Sequence, residues 1–222
     1  MVRFPERRGN LENNVEKMID YFEKKYPDPE TALNYETPFQ LLIATIMSAQ
    51  TTDVQVNKVT KDLFSKYKTP NDFAELEVRE LQKEIQSIGL YKNKSKYIIE
   101  SSKMIVEDFD GKVPTNRKDL VKLPGVGRKT ANVVLANAFD RETIAVDTHV
   151  FRVANRLGLV DTDKRDQVEQ DLMEVVPENY WTKFHHWLIF HGREICKARN
   201  PLCDKCEIKS YCDYYQNQIK GG

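Results

Sequence analysis

The stretch Leu123-Pro-Gly-Val-Gly-Arg-Lys-Thr-Ala131 constrains this chain more than any other. Pro124 and the two glycines break a polar helical segment, and Arg128 to Ala138 then reads as a fresh helix with Val133, Val134 and Ala138 available for packing. The pattern is helix, tight hairpin, helix. Gly125 and Gly127 allow backbone angles closed to other residues, so the turn can be short and its N–H groups can face outward. Such a turn suits a phosphate. Two better-known glycine motifs do not fit. Arg128 separates Gly127 from Lys129, unlike a P-loop, and the segment before Gly125 is charged and helical where a dinucleotide fingerprint needs a buried strand. On these residues alone, a plain helix–helix turn is an equally good reading.

An isolated lysine on a helix is usually solvated. Lys129, however, lies in the first turn, where the positive end of the helix dipole and the neighbouring Arg128 and Lys122 disfavour its ammonium form and favour the neutral nucleophile. From a reference pKa of about 10.4, a substantial depression is required, to which partial burial would add. Eighteen residues further on, Asp147 reads as the N-cap of a helix starting near Thr148. Capping and catalysis are compatible, because a capped carboxylate is held in a fixed place.

At 222 residues and 40% hydrophobic content, the chain can bury one sizeable core or two small ones. No apolar run reaches membrane-spanning length, and Met1 to Arg8 is not followed by the apolar core of a signal peptide, so an intracellular protein without a membrane is expected. A formal net charge of zero argues against a protein that coats nucleic acid by bulk positive charge. A local basic patch exists nevertheless: Lys112, Arg117, Lys118, Lys122, Arg128 and Lys129 have only Asp119 among them.

Leu11, Val15, Met18, Ile19 and Phe22 recur at helical spacing. Thr37-Pro38 has the form of an N-cap ahead of a helix that is apolar nearly all round from Phe39 to Met47, and Thr52 or Asp53 can cap the next. Further helical patterns run through Leu81, Ile85 and Ile88, through Tyr97 to Phe109, and through Phe151 to Leu157, Val168 to Val175 and Tyr180 to Phe190. Gln50 sits in the polar break Ser48 to Asp53, and Leu90 and Tyr91 stand exposed among lysines after Gly89. Only Thr143 to Val146 looks strand-like, so the class expected is all-α.

All four cysteines, Cys196, Cys203, Cys206 and Cys212, fall in the last stretch with the spacing C-x6-C-x2-C-x5-C. A disulfide framework does not suit an intracellular protein of this size, whereas four thiols this close in sequence converge naturally on one metal centre. The spacing matches neither ferredoxin run nor the paired C-x2-C of an ordinary zinc site, so iron–sulfur and zinc both stay open on the residues alone. Arg193, Lys197, Arg199, Lys205 and Lys209 around them offer a second basic surface.

Taken together, these parts resemble the endonuclease III family, bifunctional DNA glycosylases and abasic-site lyases of the helix-hairpin-helix superfamily. The resemblance runs from about Leu11 to Cys212. It rests on Ser48-Ala-Gln-Thr-Thr-Asp53, Gly89-Leu-Tyr91, the lysine-bearing hairpin, Val146-Asp-Thr-His149 and the cysteine run, with no departure at any of them. It implies two helical domains: a six-helix barrel with the helix-hairpin-helix over 31–141, and a discontinuous iron–sulfur cluster domain of 1–30 and 142–222. It implies a [4Fe-4S] cluster held by the four cysteines. It also implies that Lys129 is the nucleophile and Asp147 the carboxylate assisting it, acting on a nucleotide turned out of the duplex. Gln50 and Leu90 would fill the gap, while Gly125, Gly127 and Arg128 would contact the DNA backbone. The implied partner is double-stranded DNA carrying damaged pyrimidines or abasic sites, bound by a monomer in the cytoplasm at the nucleoid. Two further readings remain: a monofunctional mismatch glycosylase, although the branches of that kind lack the hairpin lysine, and a non-catalytic DNA-binding module stapled by a structural metal.

Overall fold

The computed structural model describes the backbone of residues 5–219 and the side chains of residues 11–217; the basic stretch Met1 to Arg8 lies outside the described side chains. The chain forms two compact units, one of residues 31–141 and one joining the residues before 31 to those after 141. The described residues are helical with no strand, as an all-α chain requires. None of the helices is long and apolar enough to cross a membrane.

The first helix, α1 (Pro5–Lys25), belongs to the discontinuous unit. The unit of residues 31–141 opens with α2 (Pro38–Ser48), capped by Thr37, whose hydroxyl accepts from the Gln40 N–H at 3.2 Å. Phe39 to Met47 are all buried, so the nearly all-round apolar pattern does place this helix inside a core. Around it lie α3 (Asp53–Lys66), α4 (Pro70–Ala74), α5 (Val78–Glu84), α6 (Tyr91–Asp108), α7 (Arg117–Leu120) and α8 (Arg128–Phe139). α2 packs directly against α3, α6 and α8, and Leu41, Ile43, Met47, Ile98, Leu120 and Val134 share one apolar cluster.

Two details differ from the periodicity. The pattern of Leu81, Ile85 and Ile88 suggests a single helix, but α5 ends at Glu84 and the chain turns with Ile85 and Ile88 still buried. Burial of those two side chains comes from the turn's position over the core, not from helical phase. Conversely α6 begins at Tyr91, a turn and a half before the first apolar residue of its pattern, and Tyr91 is half-buried against the core, not exposed.

In the discontinuous unit, Val15, Met18, Ile19 and Phe22 of α1 pack with α9 (Thr148–Leu157), α10 (Arg165–Val175) and α11 (Trp181–Glu194). Phe22 lies stacked 5.8 Å from Trp187 and edge-on 6.0 Å from Phe184. Trp187 Nε1 donates to the Tyr26 carbonyl at 2.9 Å, so the largest buried side chain of the unit also has its polar atom satisfied. Thr143 to Val146 is not a strand. The segment lies in neither helix nor strand, and Ile144, Ala145 and Val146 are buried, which accounts for their β-like composition.

Candidate active site and metal centre

The hairpin is built by short local devices. Asn116 caps α7 by accepting from the Asp119 N–H at 2.9 Å, and Val126 N donates to the Leu123 carbonyl at 3.0 Å to close the turn. Gly125 has φ +77° and a Cβ there would lie 2.9 Å from Tyr97 Cβ, so the turn needs glycine both for its conformation and to rest on α6. Ser101 Oγ of α6 donates to the Pro124 carbonyl at 2.7 Å and fixes the same approach. Gly127 differs from expectation. Its φ of −89° and ψ of 178° are ordinary extended values, and nothing lies within 4 Å of the Cβ position. No contact within the chain calls for glycine there.

Gly127 is the N-cap of α8 and offers no side-chain acceptor, so the first-turn N–H groups carry no side-chain cap. Arg128 and Lys129 are the first two residues of the helix, and Lys129 is exposed. The partial burial that would favour its neutral form is not provided by the folded chain.

Gln50 and Leu90, 40 positions apart in sequence, are brought together. Both have left-handed backbones, φ +56° and +59°, and both are exposed, Leu90 to 53%. Their turns are in backbone contact: Gly89 N donates to Thr51 Oγ1 at 3.0 Å, and a Cβ on Gly89 would lie 2.8 Å from the Gln50 carbonyl oxygen. Beneath them Lys94 is only 4% exposed and donates to the Met47 carbonyl at 2.8 Å, to the Ala49 carbonyl, and to Thr51 Oγ1 at 3.3 Å. Sequence reasoning missed Lys94. Its helical phase with Ile98 and Ser101 on the buried face of α6 was the available signal.

Asp147 lies in the other unit as the N-cap of α9. Its Oδ1 accepts from the N–H groups of His149 and Val150, each at 2.8 Å, which leaves Oδ2 outside the cap. The same helix moors the cysteine segment. Arg152 Nη2 donates to the carbonyls of Gly192 and Cys196 at 3.0 and 3.1 Å, and Arg156 Nη1 donates to the Lys197 carbonyl at 2.7 Å and reaches Cys196 Sγ at 3.5 Å. Arg156 also lies 4.6 Å over the Tyr214 ring.

Cys196, Cys203, Cys206 and Cys212 line one pocket with Leu157, His191 and Ile195. Burial pushes the Cys206 thiol up to about 11, and repulsion from the other three sulfurs adds to it; Cys212 and Cys203 are raised by burial in the same way. Backbone N–H groups of Ile208 and of Tyr214 and Tyr215 oppose this at Cys206 and Cys212. A polycationic iron–sulfur centre reverses both unfavourable effects, and the amides aimed at sulfur are the support its thiolates need. Four thiols around one shared pocket fit a cluster held by four thiolates. His191, whose Nε2 lies 3.7 Å from Cys206 Sγ, is held neutral by burial, which lowers its pKa to about 4.

This fold and these sites define a helix-hairpin-helix DNA repair protein: residues 43–178 match the family described as HhH-GPD superfamily base excision DNA repair protein. Residues 196–212, from the first cysteine to the last, match the iron-sulfur binding domain of endonuclease III. The chain is 52% identical to endonuclease III of Rickettsia conorii, over 91% of this chain and 97% of the relative. It is 50% identical to endonuclease III of Bacillus subtilis, over 94% and 95%. A solved structure of a trapped endonuclease III–DNA covalent intermediate superposes with a TM-score of 0.89 at 44% identity, covering 94% of this chain and 98% of that one. The chain belongs to the endonuclease III family. It is a DNA glycosylase and abasic-site lyase of base excision repair, it binds DNA, and it carries a [4Fe-4S] cluster.

Proposed function

We propose that the protein removes oxidised or ring-saturated pyrimidines from double-stranded DNA and cuts the strand at the resulting abasic site, with Lys129 as nucleophile and Asp147 as its assisting carboxylate. The observation that carries this reading is the hairpin, which presents an exposed lysine in the first turn of an uncapped helix whose preceding glycine has no intramolecular reason to be glycine. Residues 31–141 act as the barrel domain supplying the hairpin, and 1–30 with 142–222 as the cluster domain supplying the carboxylate. The protein works as a monomer, in the cytoplasm at the nucleoid.

Bound duplex approaches the open face of Gly127. Its phosphate takes the N–H groups at Gly125 and Gly127 and the charge of Arg128, contacts that position the backbone without reading sequence. Gln50 and Leu90 occupy the space left by the extruded nucleotide. DNA closing over Lys129 supplies the desolvation that the folded chain does not. The Nζ lone pair then attacks C1′ as the N-glycosidic bond breaks, and the bond's electron pair leaves with the base. Asp147 takes the proton released by the amine and returns it to O4′ as the C1′–O4′ bond opens; O4′ leaves with that bond's electron pair while the nitrogen lone pair forms the iminium, which the carboxylate then stabilises. The iminium acidifies C2′–H; loss of that proton expels the 3′ phosphate by β-elimination, and water hydrolyses the imine to free Lys129.

Borohydride reduction of the imine on an abasic duplex gives a covalent protein–DNA adduct with the wild-type protein. Lys129→Ala gives none, and undiminished trapping in that variant would overturn the assignment. Turnover on a thymine-glycol duplex, against the same duplex with a G·T mismatch, tests the substrate class.

A further inference from the structure

Lys94 takes no part in the chemistry above, yet it is a lysine withdrawn from water, and a buried charge is costly unless each of its donors is met. An ammonium has three donors, and Lys94 Nζ has three acceptors: the carbonyls of Met47 and Ala49 and the hydroxyl of Thr51. The two carbonyls are those left open at the C-terminal end of α2, where the helix dipole also favours a cation. Thr51 Oγ1 in turn accepts from Gly89 N. Lys94 itself sits in the first turn of α6, and its own N–H donates to the Leu90 carbonyl at 3.1 Å. One side chain therefore joins the end of α2, the Gln50 turn and the Leu90 turn.

Those two turns each hold a non-glycine residue in the left-handed region, a conformation that persists only where surrounding contacts fix it. We propose that Lys94 is a positioning residue for nucleotide extrusion: it locks the Gln50 and Leu90 turns together so that both side chains enter the duplex as one wedge. The proposal rests on the gap-filling role assigned to Gln50 and Leu90. Burial lowers the Lys94 amine to about 8, and the ammonium is the form that matches its three acceptors. The arrangement is stiff because the charge has nowhere else to go.

The test uses the full-length protein with its cluster loaded, Lys94→Met beside wild type, and iron absorbance as the loading control. Borohydride trapping is measured on an abasic site in a duplex and on the same site in a single strand, which has no stack to open. A 2-aminopurine opposite the site reports unstacking. In Lys94→Met the ratio of duplex to single-strand trapping falls about tenfold or more, the scale of a misplaced positioning contact, and the 2-aminopurine fluorescence rise is lost. Equal losses on the two substrates, or an unchanged duplex rate, overturn the proposal. If Lys94→Met does not fold, Thr51→Val, which removes the acceptor shared by Lys94 and Gly89, is judged by the same ratio. Leu90→Ala separates the two levels of inference. If it leaves the ratio unchanged, the wedge itself is wrong and the role of Lys94 falls with it; if it lowers the ratio while Lys94→Met does not, only the role of Lys94 falls.

Discussion

Gly125 and Gly127 stand two residues apart and answer to different constraints. An alanine at 125 meets both a left-handed backbone and the Tyr97 ring, so Gly125→Ala is expected to lower stability by roughly 1–3 kcal/mol, read as a fall in Tm. An alanine at 127 meets neither. Gly127→Ala should stay within about 1 kcal/mol of wild type, the small difference being the poorer cap, while its affinity for abasic duplex falls in fluorescence anisotropy at fixed salt. Asp147 allows a similar separation. Asparagine keeps an oxygen to accept from His149 and Val150, so Asp147→Asn retains the cap and the Tm but loses strand cleavage; equal cleavage would reduce Asp147 to a cap. The hairpin that carries Lys129 and the cap at Asp147 were legible because each is a short motif whose geometry is local. Lys94 was not, because a lysine among lysines reads as solvated, and what buries it is a helix end 47 residues earlier in the chain.

Helix boundaries in this chain are written largely by threonine and asparagine. Thr37, Thr52, Thr69 and Asn116 each accept a first-turn N–H, and three of these sites could be read from Thr-Pro or Thr-Asp pairs. The box at α4 is reciprocal: Asp72 Oδ2 accepts from the N–H groups of Lys68 and Thr69 at 2.8 and 2.9 Å. Those two bonds hold the Asp72 carboxyl below the usual carboxylate range. Because the folded value is the lower one, the stabilisation is complete above the unfolded carboxylate pKa of about 3.9 and disappears as pH falls through the folded value. Asp72→Ala should therefore cost about 1 kcal/mol in urea unfolding at neutral pH, with the gap from wild type closing in strong acid. Sequence periodicity failed where burial came from turns: Ile85 and Ile88 sit beyond the end of α5, and Ile144 to Val146 are buried outside any helix or strand. Helical or β phase cannot distinguish such segments, since neighbours from other parts of the chain do the burying.

At the scale of the molecule, each unit has its own apolar cluster, and the cysteine pocket belongs to the one that also contains α9. Oxidative loss of the iron should therefore act unevenly. Hydrogen exchange is expected to rise in peptides covering Cys196 to Tyr215, where thiols pushed up by burial and mutual repulsion are left without a cation, and to stay near wild type in α2 and α8. Exchange rising equally in α2 would show that the cluster supports the whole fold. The all-α class and the metal loop were legible because helical phase and cysteine spacing are local signals. The mooring of that loop by Arg152 and Arg156 was not, since both look like surface cations of an amphipathic helix until the loop is folded over them.

The path of the chain through the discontinuous unit has a consequence for its synthesis. The apolar face of α1, with Val15, Met18, Ile19 and Phe22, is covered by residues beyond 141, Phe184 and Trp187 among them. At ribosomal rates of about 5–20 residues per second, that face waits on the order of ten seconds or more while the intervening unit is made and can close its own core. Nascent α1 is thus the stretch most open to chaperone capture or to premature association. Iron insertion comes later still, because Cys196 to Cys212 leave the ribosome after both α9 and α11.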